Sequence, residues 1–571
     1  MTGLETALTT ECSASGCGAV MAEAIHRTAG RQRIRYVDWG KGMLTLILLA
    51  GLLIKFFSSS GIASFIQVNE TVSIPQLSWW LGLSAVNSDM APEGYDIFED
   101  VSFADSSVPG FREYAASFQA AYPEEEIRAG VEACVGYEEN DAWVTPVLYT
   151  DYEGISGDSI YTGAGSLTEF VINVETEGFY HMALEYYPLP GSGADIERSI
   201  LIDGVLPYRE MSQVSFGRVW KAEAEAPEWI VSDCSDGTGY LDEPLSVYLT
   251  EGEHRISLLA IKEPVLIHQI VLWNEKPVRE YAQAKTFWDA VGIKAAKGQT
   301  IHIEAEHAAR TSSKRPGLEP ERGDQALAAE LASTFIDGES WKEAGQWIEW
   351  EFDVEEAGYY YISLYDCQNY VKGTGVCRKI MIDGAIPFAE MENYHFIYGR
   401  TWREDVLSDG TGVPYVFYLK QGHHRIRMET ALGDMADLIS EIRDSICRIC
   451  QICFRMKEIA GEDAAEYKEP GQETGLSDLR EDLLDVRTQL TGAIVRLQEM
   501  TGRHSEGVHA LKAVKNSLDG LLDDEACSAG SVRKCGVSLS ACRNWADMAV
   551  CQPLAVDYIN IVPAGQNEKI R

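Results

Sequence analysis

The sequence predicts a mainly β protein: two tandem jelly-roll-like β-sandwiches, the second interrupted by an antiparallel helical bundle, behind an N-terminal membrane helix. Three observations predict this. A set of short strand-and-turn motifs occurs twice, a stretch of helix-period apolar stripes separates the last motif of the second set from the rest, and an apolar run near the N-terminus has basic residues before it and acidic residues after it.

Composition sets the frame. The 571 residues are 46% hydrophobic and 24% charged, which excludes wholesale disorder. Against 48 basic side chains stand 88 acidic ones, a net charge of −40. Such a surface repels phosphate backbones and excludes nucleic acid as a partner. The 13 cysteines, an odd number in a long chain, do not make a small disulfide scaffold.

Residues 1–41 form a basic leader with Arg27, Arg31, Arg33, Arg35 and Lys41, and residues 42–66 an apolar segment. Basic before and acidic after places the leader in the cytoplasm and the bulk of the chain outside the cell membrane. The apolar core, 42–54, has the length of a signal peptide. With Lys55 snorkelling, the run to Ile66 reaches a spanning length. Both readings, cleaved signal and uncleaved anchor, stay open. Residues 67–122 read as a linker with short helices.

Residues 123–284 are the first sandwich, and 285–432 a linker helix and most of the second. Gly163–Tyr180 matches Glu343–Tyr360, Ile202-Asp-Gly matches Ile382-Asp-Gly, and Gly217-Arg-Val-Trp220 matches Gly399-Arg-Thr-Trp402. Asp236-Gly-Thr-Gly and Asp409-Gly-Thr-Gly follow, then Gly-Glu-His-Arg-Ile256 and Gly-His-His-Arg-Ile426. Within a copy the pattern is that of strands. Ile348, Trp350, Phe352 and Val354 alternate with Trp347, Glu349, Glu351 and Asp353, so the first set faces a core. The Asp-Gly pairs are tight turns.

In copy one, Ile256 runs on into Val265–Leu272. In copy two the matching strand, Pro553–Ile561, comes about 120 residues late. Residues 433–551 are therefore an insertion, and 552–571 the last strand and tail. The insertion carries the stripe Met435, Leu438, Ile442, Ile446, Ile449, Cys453, Met456, then Leu483–Leu497, Val508–Leu521 and Cys535–Ala546, all at helical spacing. The strand closing copy two is expected beside Gly422–Met428.

Ile301-His-Ile-Glu-Ala-Glu306 resembles the opening strand, and Val556-Asp-Tyr-Ile559 the closing strand, of carbohydrate-binding modules of families 6 and 35. Membrane segment, paired sandwiches and bundle together resemble the N-terminal half of extracellular solute-binding proteins of Gram-positive sugar ABC transporters, without the solute-binding domain that would follow. The resemblance implies a structural calcium at Glu304, Glu306 and Asp557. Carboxylates two apart on a strand share a face and suit a hard cation. Copy one has Gly130, Glu132 and His268 in those places, and the histidine argues against calcium there.

Arg218, Trp220, Arg400 and Trp402 are candidate sugar contacts, since aromatic faces stack on sugar rings and guanidinium groups donate to hydroxyls. Their other reading is a core tryptophan with its arginine. Cys450 and Cys453 lie near the helical apolar stripe, and the run Cys447, Cys450, Cys453 reads as buried small apolar residues. Cys367 and Cys377 are spaced for a hairpin disulfide. No nucleophile elbow, phosphate loop or zinc-binding histidine pair marks an enzyme. The expected function is a membrane-anchored extracellular carbohydrate-binding protein associated with sugar uptake, with glycans and ABC transporter components as partners. The alternative is a structural or docking protein of the cell surface that binds no sugar.

Overall fold

The computed structural model describes residues 108–565 apart from 141, 222–223, 275, 314–317, 321–333, 372–374, 461–471 and 524–528. The leader, the apolar segment and most of the linker lie outside the described residues. Among the described residues no helix is long and apolar enough to cross a membrane.

Each copy is a sandwich of two sheets, and among the described residues both sheets of copy one have seven strands. In copy one the front sheet has the order 230–233, 178–188, 265–273, 158–162, 148–150, with 127–130 also on 265–273 and 246–249 also on 178–188. The back sheet runs 235–236, 214–216, 196–202, 252–262, 167–174, 134–139, 142–143. Copy two repeats this plan. Its front sheet holds 318–320, 334–336, 555–563, 358–367 and 403–406, with 301–304 and 417–419 attached. Between the sheets lie two separate cores, one centred on Phe170, Tyr186 and Phe216, the other on Trp341, Trp350 and Phe388. Ile348, Trp350, Phe352 and Val354 are all buried, as their alternation predicts. Removing a buried ring such as Trp350 costs about 3–5 kcal/mol.

The repeated Asp-Gly and His-Arg motifs lock one turn. Asp203 and Asp383 sit at positive φ, 52° and 53°. Each accepts a bond from the next strand's backbone, Arg255 N at 2.8 Å and Arg425 N at 3.0 Å. Each also meets a histidine Nδ1, that of His254 at 2.8 Å and of His424 at 2.7 Å. The Asp-Gly-Thr-Gly segments are plain turns too, with Asp236 and Asp409 accepting from the threonine backbone two residues on.

The strand Ala555–Pro563 pairs with Gly358–Cys367 and Ile301–Glu304 in the front sheet. Gly422–Ala431 pairs with Trp347–Val354 and Val376–Ile382 in the back sheet. The expectation that the closing strand lies beside Gly422–Met428 is therefore wrong. The connection crosses from sheet to sheet, as Lys262–Pro264 does in copy one, and the helices leave from that crossing. The hairpin disulfide fails for the same reason. Cys367 lies opposite Ala555 in the front sheet, Cys377 opposite Ala431 and His395 in the back, and both are free thiols.

Helices Ala436–Ala460, Gln472–Thr501, Glu506–Asp523 and Ala529–Ala549 share one core. The predicted stripe residues Ile442, Ile449, Met456, Leu490, Leu511, Leu518 and Leu539 are buried in it, as are Cys450 and Cys453, while Cys447 is buried outside that core. The bundle also reaches copy one. Arg443 lies over the Tyr240 ring at 4.3 Å, and Arg209 meets Asp444 at 2.7 Å.

The two sandwiches share a sheet as well. Trp220–Lys221 and Ala224–Glu225, from copy one, extend the back sheet of copy two by pairing Trp220 with Thr311.

Candidate functional site

The outer face of copy two's front sheet brings four strands into two rungs. One runs Glu304, Tyr558, Tyr365, Glu404; the other runs His302, Asn560, Ser363, Val406. Cross-strand neighbours on one face are close enough for aromatic side chains to pack. The rings of Tyr365 and Tyr558 stack at 5.0 Å and 9°. Trp402, just before the edge strand, stacks on Tyr365 at 5.6 Å and 20°, and Phe335 meets it edge-on at 5.0 Å. His302 tilts against the far side of Tyr558 at 4.8 Å. The result is a row of rings, Trp402–Tyr365–Tyr558–His302, across the sheet, with Phe335 packed edge-on against Trp402.

A polar strip runs beside the row. Glu404 accepts from Ser363 Oγ, from the Tyr558 hydroxyl at 3.0 Å and from Asn560 Nδ2 at 3.1 Å. Asn560 Oδ1 lies 2.7 Å from His302 Nδ1, and His302 Nε2 lies 3.1 Å from Glu304 Oε1. Burial, with the Glu404 carboxylate beside it, pushes the Tyr558 phenol up to about 12, so it stays a donor. Half-buried rings with fixed donors and acceptors at their edges suit a ligand with an apolar face and a hydroxylated rim.

Beneath the row, facing the core, lies Asp366. Its side chain is 0% exposed and neither carboxyl oxygen has a hydrogen-bond partner. Burial, with the Asp405 carboxylate adding, raises it to about 8 despite Arg403 at 3.9 Å. Arg403 itself is held by Asp405 at 3.1 Å and by the Ile397 carbonyl at 2.8 Å. In copy one the matching residue is Tyr186, whose hydroxyl donates to the Gly217 carbonyl at 2.6 Å.

Of the sequence-predicted contacts, Trp402 lies in the row and Arg400 on an exposed loop next to it. Arg218 and Trp220 do not form a matching site. Arg218 is 1% exposed and bonded to Glu225, to Glu263 at 2.6 Å and to the Ala194 carbonyl at 2.9 Å. It is a buried cross-link. Glu263 belongs to the turn that the helices replace in copy two, so Arg400 has no such partner to draw it inward. Trp220 is taken up by the shared sheet. Register shows the true counterpart of Trp402: Ile230 pairs with Tyr186, and Arg403 with Asp366, one repeat later. Trp229, which precedes Ile230, therefore matches Trp402.

The metal-ligand candidates fall on adjoining strands. Glu304 stands opposite Tyr558, and Asp557 occupies a bulge where the strand register shifts between Tyr558 and Val556. His268 occupies the same bulge in copy one, and Gly130, opposite Gln269, matches Glu304. Glu306 lies on the turn after the opening strand, 3.8 Å from His307. The pairing places Glu304 and Asp557 on neighbouring strands. Among the described residues no three His, Cys, Asp or Glu side chains gather in a group that could hold a metal.

Sequence reasoning missed Tyr365, Tyr558, Glu404, Asn560 and His302 as a set, because only the pairing of four separated strands brings them together. The signal that was present is outward alternation: Ser363 and Tyr365 interleave with the core residues Ile362 and Leu364.

No protein-family model and no curated protein matches the sequence. Solved structures do. One is a family 35 carbohydrate binding module from Clostridium thermocellum, at 16% identity over 26% of this chain and 99% of that one, with a TM-score of 0.19. Another is the C-terminal family 6 module of a Zobellia galactanivorans laminarinase, at 13% identity over 26% of this chain and 100% of that one, with a TM-score of 0.17. A third is a Podospora anserina mannanase, GH26-CBM35, at 14% identity over 28% of this chain, with a TM-score of 0.19; the match spans 30% of the mannanase.

Proposed function

We propose that this protein binds carbohydrate, and that copy two's aromatic row is the contact. One observation carries the reading: Trp402, Tyr365 and Tyr558 stand in line on the outer sheet face, with the Glu404–Asn560–His302 strip along their edges. Sugar rings offer C–H faces to aromatic rings and hydroxyls to such a strip. Catalysis forms no part of the proposal, since the carboxyl held protonated near the row, Asp366, is buried and faces the core. Anchoring through residues 42–66 and a role beside a sugar ABC transporter belong to the same proposal. They are supported by the charge asymmetry around that segment and by the sequence resemblance. A calcium ion tying Glu304, Glu306 and Asp557 is a subordinate part, supported by the adjacency of the opening and closing strands.

The experiment is a glycan panel probed with the chain from residue 67 onward. A binding glycan should lose at least tenfold affinity on Trp402→Ala. The rival, a docking protein that binds no sugar, is favoured by the stacking of Tyr365 on Tyr558, which spends ring faces inside the protein. A folded protein that binds nothing in the panel would establish the rival.

A further inference from the structure

Copy one has its own aromatic cluster at the homologous place. Trp229, half-buried, meets Tyr187 at 5.5 Å and His268 at 5.9 Å, with interplanar angles of 60° and 70°. Tyr152 packs edge-on to Tyr187 at 5.2 Å, and its carbonyl accepts the Trp229 indole N–H at 3.0 Å. These rings meet at steep angles, whereas Trp402, Tyr365 and Tyr558 of copy two lie near parallel. The two clusters therefore present different surfaces from equivalent positions.

The link between them is built into the chain. The stretch from Trp220 to Glu228, extra in copy one relative to copy two, leads directly into Trp229. It is the stretch that lays Trp220–Lys221 against Thr311 in copy two's back sheet. Glu228, the residue before Trp229, pairs with Arg310, which is itself held by Glu349 at 2.7 Å. A backbone that enters the neighbouring sheet and an ion pair at the residue before it fix Trp229 relative to copy two.

We propose, resting on the carbohydrate reading above, that Trp229, Tyr187 and Tyr152 form a second site, and that the two sites together hold one polymeric glycan. Two linked sites raise the effective concentration of the second binding step, and a rigid link keeps that gain when both sites meet one strand of ligand. A short oligosaccharide reaches one site at a time and gains nothing from the link.

The test uses the full chain with soluble laminarin, xylan, mannan and dextran, each beside its own short oligosaccharides, by calorimetry. For the sugar that binds, the oligosaccharide should fill two sites per chain, and Trp229→Ala or Trp402→Ala should leave one. Polymer affinity should fall at least tenfold in either variant, while the surviving site keeps its oligosaccharide affinity. That retained affinity also shows that the variant is folded. Tyr152→Ala, on the rim of the cluster, should act in the same direction as Trp229→Ala. One oligosaccharide per chain, with polymer affinity unchanged by Trp229→Ala and by Tyr152→Ala, overturns the second site and leaves the carbohydrate reading standing. No binding of any glycan overturns both.

Discussion

Asp366→Asn should change how stability depends on pH, in a sign the structure fixes. Asp366 holds its proton to about pH 8 in the folded chain, through burial and the neighbouring Asp405 carboxylate, against an ordinary aspartate value of 3.8. Between those limits the folded state binds a proton that the unfolded state has lost. Stability therefore falls as pH rises through this window, by up to about 1.4 kcal/mol per pH unit for one proton. At pH 7 the accumulated cost is roughly 4 kcal/mol as a ceiling, lowered by whatever relaxation brings water or Arg403 closer. Asparagine keeps the shape and removes the titration. It leaves an amide without partners where the carboxyl oxygens already have none, at a cost of about 1–3 kcal/mol that does not vary with pH. Urea unfolding followed by tryptophan fluorescence, from pH 4 to pH 8, reads both terms. The stability of the variant minus that of the parent should climb with pH by up to about 1.4 kcal/mol per unit, crossing zero inside the window. Parallel curves for the two proteins would refute the reasoning and show that Asp366 is ionised or solvated in the folded chain.

Other outcomes follow from single contacts. Asp383→Ala removes both the His424 and the Arg425 bonds and puts alanine at a φ of 53°, so copy two should lose about 2–3 kcal/mol, whereas Asp383→Gly should lose less; urea unfolding ranks the pair. Arg443→Ala strips the cation from the Tyr240 ring and from Asp236 and Glu210, and should expose the bundle–sandwich contact to limited proteolysis near Gly433. If calcium ties Glu304, Glu306 and Asp557, a chelator should lower the melting temperature of copy two and Asp557→Ala should abolish that response. Identical melting with and without chelator removes the ion from the account.

What the sequence makes legible is what periodicity and repetition encode. The strand alternation of Trp347–Val354 and the helix stripes from Met435 to Ala546 need only local spacing, and their apolar positions are buried. The two sandwiches follow from the duplication. Which strands become neighbours is not local. Cys367 and Cys377 look like hairpin partners because ten positions separate them, yet the chain changes sheet between them. The shared sheet was equally hidden, because Trp220–Lys221 and Ala224–Glu225 are too short to signal pairing with a partner beyond residue 300. The Trp220–Trp402 match was misleading for a physical reason: an insertion directly after a repeated Gly-Arg moves the next tryptophan out of register.

A repeat lets scaffold and site be told apart inside one chain. Residues that both copies keep prove to be holding the fold: Asp203 and Asp383 lock turns, and the paired arginines Arg198 and Arg378, both fully buried, give their donors to backbone carbonyls such as Lys262 O and Trp341 O. Arg218 was a candidate for its chemistry beside a tryptophan, while its presence in both copies is what a structural role produces. The candidate chemistry sits where the copies diverge on an otherwise common frame. Glu185 and Gln269, hydrogen-bonded to each other in copy one, become the stacked Tyr365 and Tyr558; Tyr186, satisfied by a carbonyl, becomes Asp366, with no hydrogen bond. A buried acid that weakens the fold directly beneath a ring platform has no packing benefit to explain it, since Tyr186 shows that the frame accepts a well-bonded side chain at that position. Replacing Asp366 by tyrosine therefore separates the two roles. It should stabilise copy two if the frame alone matters, and it should disturb glycan binding at Trp402 if the acid's contact with Arg403 and Asp405 sets the height of the edge strand that carries the ring. A stabilised protein with unaltered binding would leave Asp366 without a role at the site.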